Sequence, residues 1–323
     1  MKRKLISIIN ILILIIIAFL LMYFFKPTET EIDASKLQVV ATIFPNYDFA
    51  KKIGGDKVEV KLLLASGVES HTYEPSPKDM IKTEQSDIFI YTGNEFEPWA
   101  KNILDSVTSN LEVVDTSKNI ELINIEDFEE RNINSEIIKE EESHEIGHAE
   151  SSFDSHIWLN PQNAMLMIDD CVEAFCKIDP ANSEYYKQNA EMYKSEIKNL
   201  DKKFENLVTD SQIKEIAFAG EFAYTYFIDR YKLNFVSVYN NCGEGQDPSI
   251  AKIKSVIDYI NNHQLPVVFY EELSEGSVAK MIDSETKAKA AVFYSLHNAD
   301  INKDSYVSLM EENYKVLGEA LEK

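Results

Sequence analysis

The chain has 323 residues, 45% hydrophobic and 27% charged, enough for two ordinary domains. A formal net charge of -23 leaves no basic footprint for nucleic acid. Its three cysteines, Cys171, Cys176 and Cys242, form no Cys-x-x-Cys pair, so nothing points to a thiolate zinc site.

Lys2-Arg3-Lys4 precedes an apolar run from Leu5 to Phe25. The run is about long enough to span a bilayer, and its basic flank predicts a cytoplasmic N-terminus with the remainder outside the cell. Residues 1–25 therefore read as an uncleaved membrane anchor. A cleaved signal segment is the alternative, and a buried core helix a third. Residues 26–35 are polar and read as a tether.

From Lys36 onward, strand and helix signals alternate. Strands are predicted at Leu37–Phe44, Lys57–Leu64, Asp87–Tyr91 and Leu111–Val114. Helices are predicted at Pro45–Ile53, Ser76–Glu84 and Phe96–Ser109, the second opened by a Ser-Pro cap. Residues 116–153 are charged and weakly patterned, which predicts a long functional or disordered loop. Asn160-Pro161 then caps a helix to about Ile178 with apolar Ala164, Ile168, Val172, Phe175 and Ile178. Asp179-Pro180 opens a longer one. Its Tyr186, Ala190, Tyr193, Ile197, Leu200, Phe204 and Leu207 make one stripe roughly 40 Å long. The flanks lack the charge pairing of a coiled coil, so the stripe reads as an intramolecular bridge. Further strands are predicted at Glu215–Ala219, Asn234–Tyr239, Pro266–Tyr270 and Ala290–Ser295. The matching helices are Phe222–Tyr231, Pro248–Asn262, Gly276–Lys287 and Asp304–Leu321.

This alternation predicts an α/β fold of two lobes, each a mainly parallel sheet flanked by helices, bridged by one long rigid helix. The lobes are 36–179, including the loop 116–153, and 210–323. The bridge is 180–209.

Ligands of open parallel sheets bind beyond the carboxyl ends of the strands. His71, His156, Glu221, Glu271, Glu272 and His297 all fall at such ends. Three of the six histidines, His144, His148 and His156, lie within thirteen residues among carboxylates. Imidazole and carboxylate together suit zinc, and also manganese. Each histidine also has a plain structural reading, and His263 needs nothing beyond helix-end stabilisation. Glu271 and Glu272 read as structural, His144 and His148 as solvated loop residues that bind metal weakly, and Trp99 and Trp158 as packing beside the site.

Several motifs are specific. Ser70-His71-Thr-Tyr-Glu-Pro-Ser-Pro77, Gly93-Asn-Glu-Phe-Glu-Pro-Trp99 and Asp154-Ser-His-Ile-Trp-Leu-Asn-Pro161 occur in order. So do Asp179-Pro-Ala-Asn182 and Ser305-Tyr-Val-Ser-Leu-Met310. The chain after about residue 37 resembles the zinc/manganese solute-binding proteins of ABC transporters. The resemblance implies metal ligands at His71 and His156. It implies a third at Glu221, ahead of Arg230-Tyr231, where zinc-preferring members usually carry histidine and manganese-binding members glutamate. A fourth is often a late aspartate; none can be matched, and His297 is the candidate in its place. The acidic and histidine-bearing stretch Glu140–Glu150 resembles the metal-capturing loop of zinc members.

The resemblance implies a non-enzymatic protein that captures Zn2+ outside the cell and delivers it to an ABC transporter permease. It would be a monomer held at the outer membrane face by residues 1–25, or secreted if these are cleaved. Mn2+ is the alternative ion. A metal-dependent hydrolase and a surface adhesin are the competing functions. No His-Glu-x-x-His motif supports a hydrolase.

Overall fold

Leu37–Ala41 (β1) is buried over four of its five residues and starts a four-stranded sheet. Val58–Leu62 (β2), Ile88–Tyr91 (β3) and Glu112–Asp115 (β4) complete it, all parallel, in the order β2-β1-β3-β4. Phe44–Gly54 (α1), Pro77–Glu84 (α2), Ala100–Leu104 (α3), Ile125–Asn132 (α4) and Pro161–Ile178 (α5) belong to the same lobe. The second lobe repeats the design with Glu215–Phe218 (β5), Asn234–Ser237 (β6), Val267–Tyr270 (β7) and Lys289–Val292 (β8), again all parallel, in the order β6-β5-β7-β8. Its helices are Thr225–Tyr231 (α7), Ile250–His263 (α8), Ser277–Glu285 (α9) and Tyr306–Leu321 (α10). Between the lobes runs Ser183–Asp210 (α6).

The structure is a computed structural model that describes residues 33, 35–65, 67–68, 70, 73–132, 153–239 and 248–322. The chain divides into Met1–Ser35 and Lys36–Lys323, and the fold belongs to the second part. The expected anchor, most of the tether, His71, the Glu140–Glu150 stretch and Cys242 lie outside the described residues. Among the described residues no helix is long and apolar enough to cross a membrane.

In both sheets the chain winds first to one side and then to the other. The crevices at the carboxyl ends therefore open between β1 and β3, and between β5 and β7. The apolar stripe of α6 is buried along its length, from Tyr186 through Tyr193 and Ile197 to Phe204. It packs on α1 and α5 of the first lobe and on α7 and α10 of the second. At 1.5 Å per residue it is about 42 Å long, a strut rather than a hinge.

Polar side chains lock the strut at two points. Near its end, buried Asp201 receives Arg230 through Nε at 3.1 Å and Nη2 at 2.7 Å, and the Tyr231 hydroxyl at 2.9 Å. Nearer its start, Tyr193 donates to buried Asp48 of α1 at 2.5 Å. The same carboxylate accepts the Tyr306 amide at the head of α10, at 3.1 Å. Tyr306 also packs on Phe49 and donates its hydroxyl to the Trp158 carbonyl at 2.8 Å. One carboxyl thus ties the first lobe to the strut and to the last helix. Asp48→Ala would leave a buried hydroxyl and a buried amide without partners. The expected loss is about 2–4 kcal/mol of unfolding free energy, read by urea denaturation.

Three elements differ from expectation. The helix expected over Phe96–Ser109 is only Ala100–Leu104, because Glu97 turns inward to accept the Thr92 amide and Glu84 draws Thr108 aside with two bonds of 2.8 Å. The stretch 116–153 is not wholly irregular: the Asn124 side chain accepts the Asp127 amide at 3.1 Å and α4 follows. An antiparallel bridge between Asn124 and Phe153 then closes that stretch at its base. The helix expected from Phe222 begins at Thr225, since Phe222 and Tyr224 stack instead on Phe235 and Phe218, each at 4.6 Å. Glu221 therefore stands in an irregular turn and opens no helix.

Candidate metal centre

His156 is positioned by what surrounds it in sequence. Asn160 caps α5 by accepting the Gln162 amide at 2.9 Å, and Pro161 supplies the first helical residue. A single 3-10 turn, Ile157–Leu159, brings the chain into that cap. Just ahead, the Asp154 carboxylate accepts the His156 amide at 2.8 Å and faces its Nδ1 at 3.0 Å. Asp154 is buried, which alone would raise its pKa; its closeness to His156 and the hydrogen bonds it accepts outweigh that and hold it below the usual carboxylate range. With Nδ1 donating to Asp154, the imidazole is held as the tautomer whose Nε2 carries the lone pair. This is the arrangement that orients a histidine for a metal. The second lobe supports it, because Tyr226 of α7 donates to the Asp154 carbonyl at 3.0 Å and accepts the Ile123 amide at 3.0 Å.

His297 arrives from the opposite lobe, on the segment after β8. Its ring lies 4.8 Å from that of His156, centre to centre. Two imidazoles on one tetrahedral zinc, bonded at about 2.0–2.1 Å, have ring centres about 5 Å apart. Both histidines are buried, at 3% and 6% exposure. Phe96 packs on the two rings at 5.8 and 5.7 Å, and Trp158 at 5.5 and 5.4 Å. The pair thus sits in an apolar aromatic wall where few waters compete for the nitrogens. Trp158 also donates its indole N–H to the Ser295 carbonyl at 2.8 Å, a bond from the first lobe to the second.

Glu221 follows β5 and Glu271 follows β7, so both stand at the second crevice. Gly220 makes room there: a Cβ at that position would lie 1.8 Å from Glu271 Oε2. That oxygen is buried and makes no hydrogen bond among the described residues. Burial, and then the charges of Glu221 and Glu272, push the Glu271 carboxyl up to about 7. A cation at this point would relieve the crowding of negative charge. Glu272 has an ordinary structural task, accepting the Ser295 amide and hydroxyl at 2.7 and 3.0 Å.

His71 lies outside the described residues, but both its flanks are fixed. Trp99 donates to the Ser70 carbonyl at 2.8 Å and packs its ring on Tyr73 at 4.9 Å. Tyr73 in turn donates to Asp79 at 2.7 Å, which closes the capping box of α2 with Ser76. The structure brings His156 and His297 together. Among the described residues no three His, Cys, Asp or Glu side chains stand close enough to hold one ion, so Glu221 does not complete a site with those two alone. His144 and His148 lie outside the described residues. His263 is occupied elsewhere, stacked on Tyr259 at 3.9 Å with Nδ1 2.5 Å from Glu215.

Four residues receive no site role from sequence alone: Asp154 as the orienting carboxylate, Phe96 as the wall, the buried Glu97 that follows it in sequence, and Glu271, whose strand-end position reads as structural. Asp154 carried a visible signal, being two residues ahead of His156. Glu271 carried a weaker one, an acidic pair at a strand end.

The sequence matches the family described as ZnuA, zinc-uptake complex component A, periplasmic, over residues 39–320. It is 31% identical over 298 residues to the high-affinity zinc uptake system protein ZnuA of Bacillus subtilis (strain 168), covering 91% of this chain and 90% of that one. It is 28% identical over 288 residues to the zinc-binding protein AdcA of Streptococcus pyogenes, where it spans 55% of the relative's length. The crystal structure of the metal-dependent lipoprotein YcdH from Bacillus subtilis superposes with a TM-score of 0.72 at 29% identity, covering 88% of this chain and 99% of that one. With the family profile matched along nearly the whole folded part and a relative 31% identical over most of both chains, the chain belongs to the zinc-uptake complex component A family, whose members are substrate-binding proteins of transport and not enzymes.

Proposed function

We propose that the chain takes one divalent ion, Zn2+ in preference to Mn2+, between its lobes and hands it to an ABC transporter permease. The ligands in this reading are His71, His156, Glu221 and His297, with Glu271 as the carboxylate standing next to Glu221. Residues 36–179 and 210–323 act as the two metal-binding lobes on either side of 180–209. Residues 1–25 anchor the monomer to the outer face of the membrane.

The supporting observation is the pair His156 and His297, buried rings from opposite lobes 4.8 Å apart, one of them oriented by Asp154. Two imidazoles favour zinc over manganese, since manganese is the weaker and more oxygen-seeking ion. Release calls for a small shift of one lobe or its loops, because the strut and the Asp48 joint oppose a wide hinge.

Metal analysis of protein purified without added metal tests the first half, with about one zinc per chain expected. Affinity should fall as pH drops through about 6, because each imidazole must be neutral to bind. A chelator titration that is flat between about pH 5 and 8 would count against histidine ligation. Delivery is tested by deleting the chain and following growth at low zinc, where unimpaired growth would contradict it.

A further inference from the structure

Asn298 lies beside His297 but points elsewhere. Its side chain crosses to the first lobe, 231 positions away in sequence, where Oδ1 accepts the Gly67 amide at 2.7 Å. Its Nδ2 faces the Val68 carbonyl at 3.5 Å. Gly67 and Val68 belong to the loop between β2 and α2 that leads to His71. Gly67 stands at φ +84, in a turn closed by the Val68 amide on the Ala65 carbonyl at 3.2 Å. That conformation suits glycine.

The other end of the contact is held firmly. Glu272 accepts the amide and hydroxyl of Ser295 and also the Asn298 amide, gathering residues 295–298 around one half-buried carboxylate. Between them Leu296, fully buried, sits at φ 62, a left-handed conformation that is strained for leucine. A strained residue persists where its surroundings fix it, and here they aim His297 at one neighbour and Asn298 at another. The loop carrying His71 thus has two grips. Trp99 of its own lobe holds Ser70, and Asn298 of the opposite lobe holds Gly67 and Val68.

We propose that Asn298 is the positioning residue by which the second lobe holds the His71 loop, and that this grip sets how fast a bound ion leaves. The proposal rests on reading His71 as a ligand. An ion shared by both lobes escapes when one ligand loop swings away, and the Asn298 bonds oppose that swing without touching the metal. Losing them removes one good hydrogen bond and one weak one across the crevice, so release should quicken by about ten-fold.

Two measurements on the full chain test this. In the first, zinc is drawn by excess chelator from wild type and from Asn298→Ala in a stopped-flow instrument. Release about ten-fold faster, with unchanged zinc entry, is expected; an unchanged release rate overturns the proposal. In the second, amide hydrogen exchange is followed in metal-free protein. The Gly67 amide should exchange faster in Asn298→Ala, while the Thr42 and Leu63 amides, bonded to the Ile90 and Ala41 carbonyls, keep their protection. Asn298→Asp retains the acceptor and should restore Gly67 protection there, where no ion can favour the added charge. Equal Gly67 exchange in all three proteins overturns the grip itself. A wild-type chain that binds no zinc refutes the ligand reading instead, and leaves the Gly67 comparison to decide the grip.

Discussion

His156→Ala lowers zinc affinity by about 100-fold or more, and His297→Ala does so to a similar degree. A structural zinc bound by four protein ligands gains about 10–16 kcal/mol in all, so one ligand accounts for some 3 kcal/mol, or more than two decades in affinity. The two effects should be alike because the rings are equally buried and share the Phe96 and Trp158 wall. Asp154→Asn is the informative companion. It keeps an acceptor near Nδ1 but removes the charge that supports imidazole basicity, and a 10–100-fold loss is expected. Competition with a chelator of known affinity reads all three. A His297→Ala protein that binds zinc like wild type would remove the second lobe's imidazole from the site.

Glu97→Gln makes the fold more stable at alkaline pH. Glu97 is fully buried at the carboxyl end of β3, and Oε2 accepts the Thr92 amide at 2.5 Å. Burial, aided by the charge of Asp115, pushes its carboxyl up to about 8, so it is neutral at pH 7. The folded chain therefore keeps a proton that the unfolded chain releases near the ordinary glutamate value of about 4.3. The stability this group contributes is complete below that value. It is lost progressively as pH rises through about 8. Glutamine mimics the neutral acid and does not titrate. Near pH 4 the two proteins should unfold alike; by pH 9 the variant should be ahead by about 5 kcal/mol. Urea denaturation across that range measures it, and superimposable profiles would contradict it. Phe96, which packs on both histidine rings, directly precedes this buried acid in the chain.

The large features were legible in the sequence because they repeat. The stripe from Tyr186 to Phe204 calls for burial along one face of a long helix, and that face is buried within the chain. Glu221, Glu271 and His297 stand after β5, β7 and β8, so three strand ends of the second sheet are marked by residue type alone. Features that depend on one side chain displacing a regular element were not legible. Glu97 breaks a helix that its own neighbours favour, and Phe222 and Tyr224 delay another by stacking on strands distant in sequence. The contact between His156 and His297, and the reach of Asn298 to Gly67, join segments more than 130 residues apart. Local periodicity carries no record of such meetings. What the sequence did show was chemistry suited to them, a carboxylate two residues before one histidine and an amide directly after the other.

Zinc-edge anomalous diffraction from crystals of the zinc-loaded chain tests the central claim most directly. The account predicts one strong peak between the lobes, bonded at about 2.0–2.1 Å to Nε2 of both His156 and His297. A peak bound by one lobe alone, with either of these rings turned away from it, would contradict the account.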